Sequence, residues 1–476
     1  MIIEGLLAAL VASFLSWALI RFVCIVARRR GLLAAVRSDR WHAVPTPNFG
    51  GVGIVVAFLV AFALTRGTLD SFRDATSVNA AVVIALIVGG VGAAAAGLWD
   101  DLVHFQPSTK LTAQCACAGA FLWLAGGIEI TGSAPTDSVL ALLWIVAVMN
   151  AVNMLDNMDG VAATAVMIGL FGVAAVSAVS ASSAFVALIA LICAGAVGGF
   201  LGHNLPRARV FMGDAGSLFL GFMLAALVLL SARSVALPVA LAVALGCLLV
   251  PLLDMTVVSL SRVRRGESPM RGGRDHTTHR LVQLGVSEQA LVRIVACVAL
   301  LGVGGAFAAV AMGSPLAASV ALVALFAVLA ALLLRMCIRV DGAAHVRAAA
   351  FTPFLKVFID VVTIAAVLNA GYLIRWEFAI PPELANSVSW SLPVALACCV
   401  GANALRGAYV QSWRFTVVGA RATIASSVIG AVLAVVVIAA VWSPDRLFSR
   451  AAMGIFLVGY PLVGVVVRLA IGWMVK

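Results

Sequence analysis

Runs of about 20 predominantly apolar residues recur along the whole of this chain, and each is long enough to cross a lipid bilayer. Hydrocarbon offers no solvent to backbone N–H and C=O groups, so such runs must satisfy them internally, as helices. The expected fold is therefore all-α, a polytopic transmembrane helical bundle. Fifteen spans are expected, eleven of them near 3–25, 50–65, 78–98, 111–126, 138–155, 161–180, 183–202, 214–232, 235–259, 289–311 and 315–335. Four more lie near 354–374, 391–405, 423–442 and 451–471. Composition excludes a soluble alternative: 63% of residues are hydrophobic and 11% charged, against about 45–50% and about 25% in soluble domains. The first run ends in Arg28-Arg29-Arg30 without a small-residue cleavage site, which reads as a retained helix and not a signal peptide.

Lysine and arginine placement sets the orientation. With the amino terminus outside, the inner loops carry 22 of the 31 basic residues and the outer loops six. The net charge of +11 then reports topology and contact with anionic lipid, not nucleic-acid binding. All nine cysteines fall in apolar spans and none has metal-ligand spacing with histidine, so they read as small core residues.

The polar clusters all fall on the inner side. Asn150-Ala-Val-Asn-Met-Leu-Asp-Asn-Met-Asp-Gly160 packs five amide or carboxylate side chains into eleven residues between two apolar runs. Polar groups left in hydrocarbon cost several kcal/mol, so such a cluster points to function. On helical spacing Asn150, Asn153 and Asn157 share an arc of roughly 60°, with Asp156 beside them, a face of hard oxygen ligands suited to a divalent cation. The loop opened by Asp100-Asp101 and closed by Lys110-Leu-Thr-Ala-Gln114 sets two carboxylates side by side, which must sit in water or share a cation. Asp214 stands in a Gly-Asp-Ala-Gly-Ser turn, where it caps a helix or lies beside free N–H groups that meet an anion. The loop from Arg262 ends Arg274-Asp-His-Thr-Thr-His-Arg280; His276 and His279, one turn apart, are two of the ligands a zinc ion would need, or plain surface residues. Each cluster has a dull explanation singly, but four such inner loops facing almost bare outer loops point to one site.

In order and wording these motifs resemble the polyprenyl-phosphate N-acetylhexosamine-1-phosphate transferases, over roughly residues 1–335. The resemblance implies transfer of HexNAc-1-phosphate, most simply GlcNAc-1-phosphate, from a UDP-sugar to undecaprenyl or another polyprenyl phosphate. UMP is released, with Mg2+ as cofactor and Mn2+ as its substitute. It implies that Asp100, Asp101, Lys110, Asp156 and Asp159 are the catalytic set, with Asp100 and Asp101 the acidic pair and Lys110 on the phosphates. Asn153 and Asp214 match metal positions. Asn150, Asn157, Asp156, Arg274, His276 and His279 fall on the substrate-binding motifs. Two departures stand out. Asp156-Asn157 replaces the family's usual Asp-Gly, a change expected to do little harm because asparagine tolerates left-handed backbone. The loop Asp-His-Thr-Thr-His lacks the His-His-His-Phe-Glu of the peptidoglycan branch, which favours a UDP-GlcNAc-type enzyme of cell-wall, O-antigen or lipopolysaccharide synthesis. The chemistry fits: when two polyanions react, catalysis is mostly positioning and charge neutralisation.

Three domains are expected: a transferase membrane domain at 1–335, a basic cytoplasmic linker at 336–356, and a four-helix membrane module at 357–476. The last resembles the membrane part of nucleotide-sugar dehydratases, so it implies docking of polysaccharide-synthesis proteins and no catalysis of its own. The implied partners are UDP-HexNAc, polyprenyl phosphate and a second copy in a homodimer. The implied location is the inner membrane, with the active site on the cytoplasmic face. A transporter or flippase would place charges at mid-span and duplicate its halves; the carboxylates instead cluster at one face. An assembly scaffold would suit only the last four spans.

Overall fold

The computed structural model of the chain describes residues 2–31, 46–68, 79–128, 134–179, 184–311 apart from 234, 236, 270–272 and 274, then 315–340, scattered positions between 357 and 375, 382–409, 417–440 and 449–474. Arg274, residues 39–45 of the first inner loop and most of the span expected at 354–374 lie outside these. The chain forms two compact units, one of 1–263 with 267–340 and one of 264–266 with 341–476.

The first unit runs α1 (Ile2–Arg29), α2 (Gly50–Thr68), α3 (Ala80–Val103), α4 (Pro107–Leu124), α5 (Ala134–Leu155), α6 (Val161–Val179), α7 (Ala184–Asn204), α8 (Gly213–Ala232), α9 (Leu237–Cys247), α10 (Leu249–Arg265), α11 (Thr277–Gln283), α12 (Glu288–Ala311) and α13 (Pro315–Val340). Eight of its helices are long and apolar enough to cross a membrane, or nine if the bent pair α9–α10 counts as one span. The chain is a multi-pass membrane protein. Neither α4 nor α13 is among the eight, although each stands where a span was expected.

α8 is the hub. It is apolar on every side, with 89% of its most hydrophobic window buried, as a helix without a polar face must be. It packs against α2, α3, α5, α6 and α9. Phe219 meets Phe58 edge-on at 5.6 Å, and Phe222 meets Phe121 at 5.7 Å. Two glycines let neighbours reach its amino terminus: a side chain at Gly51 would run into the backbone of Gly216, and one at Gly97 into that of Asp214. α1 and α12 are only 28% buried over their windows, which leaves most of their apolar surface for lipid. The α1–α7 seam follows the small-residue rule for membrane helices, Gly195 and Gly199 seating the backbone of Ala9 and Ser13.

The span expected at 235–259 is not one helix. It breaks at Leu248 with a bend of 78°. Pro251 has no N–H to give the Cys247 carbonyl, so the helical ladder is interrupted there. Hydropathy registers apolar length and is blind to this break.

The second unit contains α14 (Pro382–Leu405), α15 (Val417–Ala440) and α16 (Arg450–Met474). Its core is Ile364, Leu368, Cys399, Ala431, Ile438, Phe456 and Tyr460. Inside lies a polar knot: Asp360 Oδ2 accepts hydrogen bonds from Asn403 Nδ2 at 2.9 Å and Tyr409 Oη at 2.7 Å, and Asn403 Nδ2 also reaches Tyr460 Oη at 2.8 Å. Asp360 is thus the centre of a buried network.

Candidate active site

Four helices deliver side chains to one point. Lys110, in the first turn of α4, donates from Nζ to Asp214 Oδ2 at 2.6 Å and pairs with Asp100 Oδ2 at 2.9 Å. Asp100 comes from the end of α3, where its Oδ1 accepts the Phe105 N–H at 2.7 Å. His104 takes the left-handed conformation there, with φ 60°, and closes the helix. From α5, Asn153 Nδ2 donates to Asp214 Oδ1 at 2.6 Å and to Ser217 Oγ at 2.8 Å. Burial of the Lys110 amine favours its neutral form, but the Asp214 and Asp100 carboxylates outweigh this and hold its pKa above the ordinary lysine value. Asp100 and Asp214 therefore share one positive charge; the adjacent pair Asp100-Asp101 does not share a cation, contrary to one of the two expectations for it.

Asp101 turns the other way. Its Oδ1 accepts from Asn48 Nδ2 at 2.8 Å and from the Asp214 N–H at 3.1 Å, while Oδ2 accepts the Ala215 N–H at 3.2 Å. The free N–H groups at the start of α8 do meet an anion, and it is this carboxylate. Asp214 is accordingly not the cap of its own helix; capped by Asp101, it keeps its carboxylate for Lys110 and Asn153. Gly213, at φ 71°, makes the turn.

The three asparagines do not form a single ligand face. Asn150 makes a reciprocal pair with buried Gln114 of α4, its Nδ2 donating at 2.8 Å and its Oδ1 accepting at 3.3 Å, so it clasps α4 to α5. Asn157 lies beyond the end of α5; its Nδ2 caps the Met154 carbonyl and its Oδ1 accepts from Thr278 Oγ1 at 2.6 Å. Asn157 is not left-handed either: in this loop the positive φ, 73°, belongs to Gly160. The Asp156-Asn157 departure is accommodated by a side-chain bond, not by backbone tolerance. Asp156 sits half-buried in the same loop, and Asp159 Oδ2 accepts the Ala208 N–H at 2.8 Å.

His276 and His279 are buried, not surface residues, with rings 6.0 Å apart in a T-shaped arrangement. Sequence reasoning missed the residue behind them. Asp254 of α10, 2% exposed, accepts from His276 Nδ1 at 2.9 Å and from Thr277 N and Oγ1 at 3.0 and 2.5 Å. It sits alone in an apolar stretch, so the only available signal was a lone acid within a hydrophobic run. Ser217, fully buried behind Asn153, was also passed over as a helix-start residue. Arg280 is buried too and ties α11 to Ser261 and Cys337.

Residues 83–232 match the family described as glycosyl transferase family 4. The chain is 30% identical over 327 residues to the decaprenyl-phosphate N-acetylglucosaminephosphotransferase of Mycobacterium tuberculosis, an alignment covering 61% of this chain and 78% of that relative. The chain belongs to glycosyl transferase family 4. This family-4 chain is similarly 31% identical over 328 residues to the enzyme of the same description from Mycolicibacterium smegmatis, covering 61% and 79% of the two chains. It is 37% identical over 103 residues to the undecaprenyl-phosphate alpha-N-acetylglucosaminyl 1-phosphate transferase of Escherichia coli, covering 21% and 28%. Membership makes it a phosphoglycosyl transferase, an enzyme embedded in the membrane. The matched stretch holds Asp100, Lys110, Asn153 and Asp214, and ends before Asp254 and the histidines.

Proposed function

We propose that this chain transfers GlcNAc-1-phosphate from UDP-GlcNAc to a polyprenyl phosphate, releasing UMP, at the cytoplasmic face of the inner membrane, as the first step in making a cell-surface polysaccharide. The observation that carries this reading is the convergence of Lys110, Asp100, Asp214 and Asn153 from four helices at one end of the bundle. The relatives' own substrates, decaprenyl and undecaprenyl phosphate and N-acetylglucosamine phosphate, support it.

In this reaction an oxygen of the lipid phosphate attacks the β-phosphorus of the UDP-sugar. The bond from that phosphorus to the bridging oxygen breaks, and UMP departs with the oxygen. Little covalent work falls to the protein; it must bring two polyanions together and offset their charge. Lys110 is the group able to meet a phosphate oxygen, because its ammonium already lies between two carboxylates and exchanges one anion for another. Asp100 orients the lipid phosphate. A monoester whose second pKa is near 6 arrives largely ionised, so a general base is not required. Asp101 acts at one remove, by fixing the start of α8.

The donor set fits a divalent cation. Mg2+ takes one or two carboxylates and completes its shell with water and phosphate oxygens, and Asp100 and Asp214 already hold a positive charge between them. Asp214 and Asn153 would hold Mg2+, Asn153 through its Oδ1 after its amide turns from Asp214. When bound, the ion neutralises charge on the donor's phosphates.

The test is incubation of purified protein with UDP-GlcNAc, polyprenyl phosphate and Mg2+, followed by assay of UMP and lipid-linked sugar. Formation of both products is expected. Neither product from any of a panel of UDP-sugars would sink the reading.

A further inference from the structure

The buried carboxylate of Asp254 has no role in the reaction as described, yet it accepts three hydrogen bonds at the point where α11 begins. A carboxylate is costly to bury unless fully bonded, so its place is explained by what it holds. His276 is the N-cap residue of α11 but makes no side-chain cap. Asp254 supplies the missing cap by taking the Thr277 N–H and Oγ1. Its other oxygen faces His276 Nδ1. An ionised carboxylate only accepts, so Nδ1 carries the proton and Nε2, on the opposite edge of the ring, is left for a ligand. The neighbouring Thr278 Oγ1 ties the same junction to Asn157, in the loop that carries Asp156 and Asp159.

We propose that Asp254 is a positioning residue: it sets the proton on His276 Nδ1 and anchors α11, so that His276 Nε2 meets the diphosphate–sugar end of the donor. This rests on the transferase reading above.

Asp254→Asn separates the two duties. The amide retains an oxygen for Thr277 but offers an N–H to Nδ1, which drives the ring into its other tautomer. UMP release by the full-length enzyme should lose about 100-fold or more in kcat, while KM for UDP-GlcNAc moves less than about threefold and the unfolding temperature in detergent changes by no more than about 2 °C. His276→Ala should lose a similar factor, and the double variant should be no slower than His276→Ala alone. Asp254→Ala removes the cap as well and should speed tryptic cleavage between Arg265 and Glu288. Wild-type turnover in Asp254→Asn, or losses that multiply in the double variant, would overturn the proposal. If wild-type protein releases no UMP, the reaction reading fails by itself; the proteolysis arm still decides the anchoring, and unchanged cleavage in Asp254→Ala defeats it.

Discussion

Residues of the same chemical type have diverged in this molecule according to what each touches. Asp100 and Asp101 are adjacent, yet one pairs with Lys110 and the other accepts backbone N–H groups from α8. Asn150 and Asn153 sit one turn apart, yet one bonds Gln114 and the other Asp214. On the proposed reaction, Asp214→Asn should lower UMP release by on the order of 100-fold or more, since it removes charge at the centre of the site; near-normal turnover in the purified variant would remove Asp214 from the machinery. Asn150→Leu should behave differently. It strands the buried Gln114 amide and should cost about 1–3 kcal/mol in thermal unfolding, most of it recovered in the Asn150→Leu/Gln114→Leu double variant. The residue types and their one-sided placement were legible in the sequence. Which asparagine faces which partner was not, because a side chain three residues along a helix turns by about 60° and meets a different neighbour.

At the scale of elements, the site depends on how closely α3 and α2 approach the start of α8. Gly97 is the sharpest case, since any β-carbon there collides with the Asp214 backbone. Gly97→Val should cost about 1–3 kcal/mol of stability and reduce turnover by shifting Asp214 from Lys110. Thermal unfolding and UMP release on one preparation check both, and a variant losing neither would show that α3 can move aside freely. Helix positions were legible because apolar length and charged ends announce them. The broken α9–α10 pair was not, because one proline within a hydrophobic run leaves the hydropathy unchanged while removing a backbone bond. Asp254 went unread because its partners His276 and Thr277 lie 22 and 23 residues away, across the loop that follows α10.

For the molecule as a whole, the excess of basic residues in one set of loops predicts an amino terminus outside and, with it, a site at the cytoplasmic ends of the helices. Cysteines introduced at exposed Ser287 and exposed Ser138, in a background without the native thiols, should react with a membrane-impermeant maleimide from opposite sides: Ser287→Cys from the cytoplasm, Ser138→Cys from outside. Labelling of both from one side would reverse or refute the topology. In the second unit, Asp360→Leu should lower the unfolding temperature, because it leaves Asn403 and Tyr409 facing an apolar side chain deep in the core. An unchanged transition would show the knot to be dispensable.

By itself the sequence determined the solvent. Long apolar runs require helices in hydrocarbon, a property of local composition. It also marked Asp100, Lys110, Asn153 and Asp214 as members of one site. Only the tertiary structure decided how they share it: that Lys110 lies between Asp100 and Asp214, that Asp101 serves α8, that Asn150 is a clasp, and that Asp254 stands behind His276. Those assignments depend on distances between residues dozens of positions apart, set by glycine contacts and a bent helix that a linear reading of composition does not register.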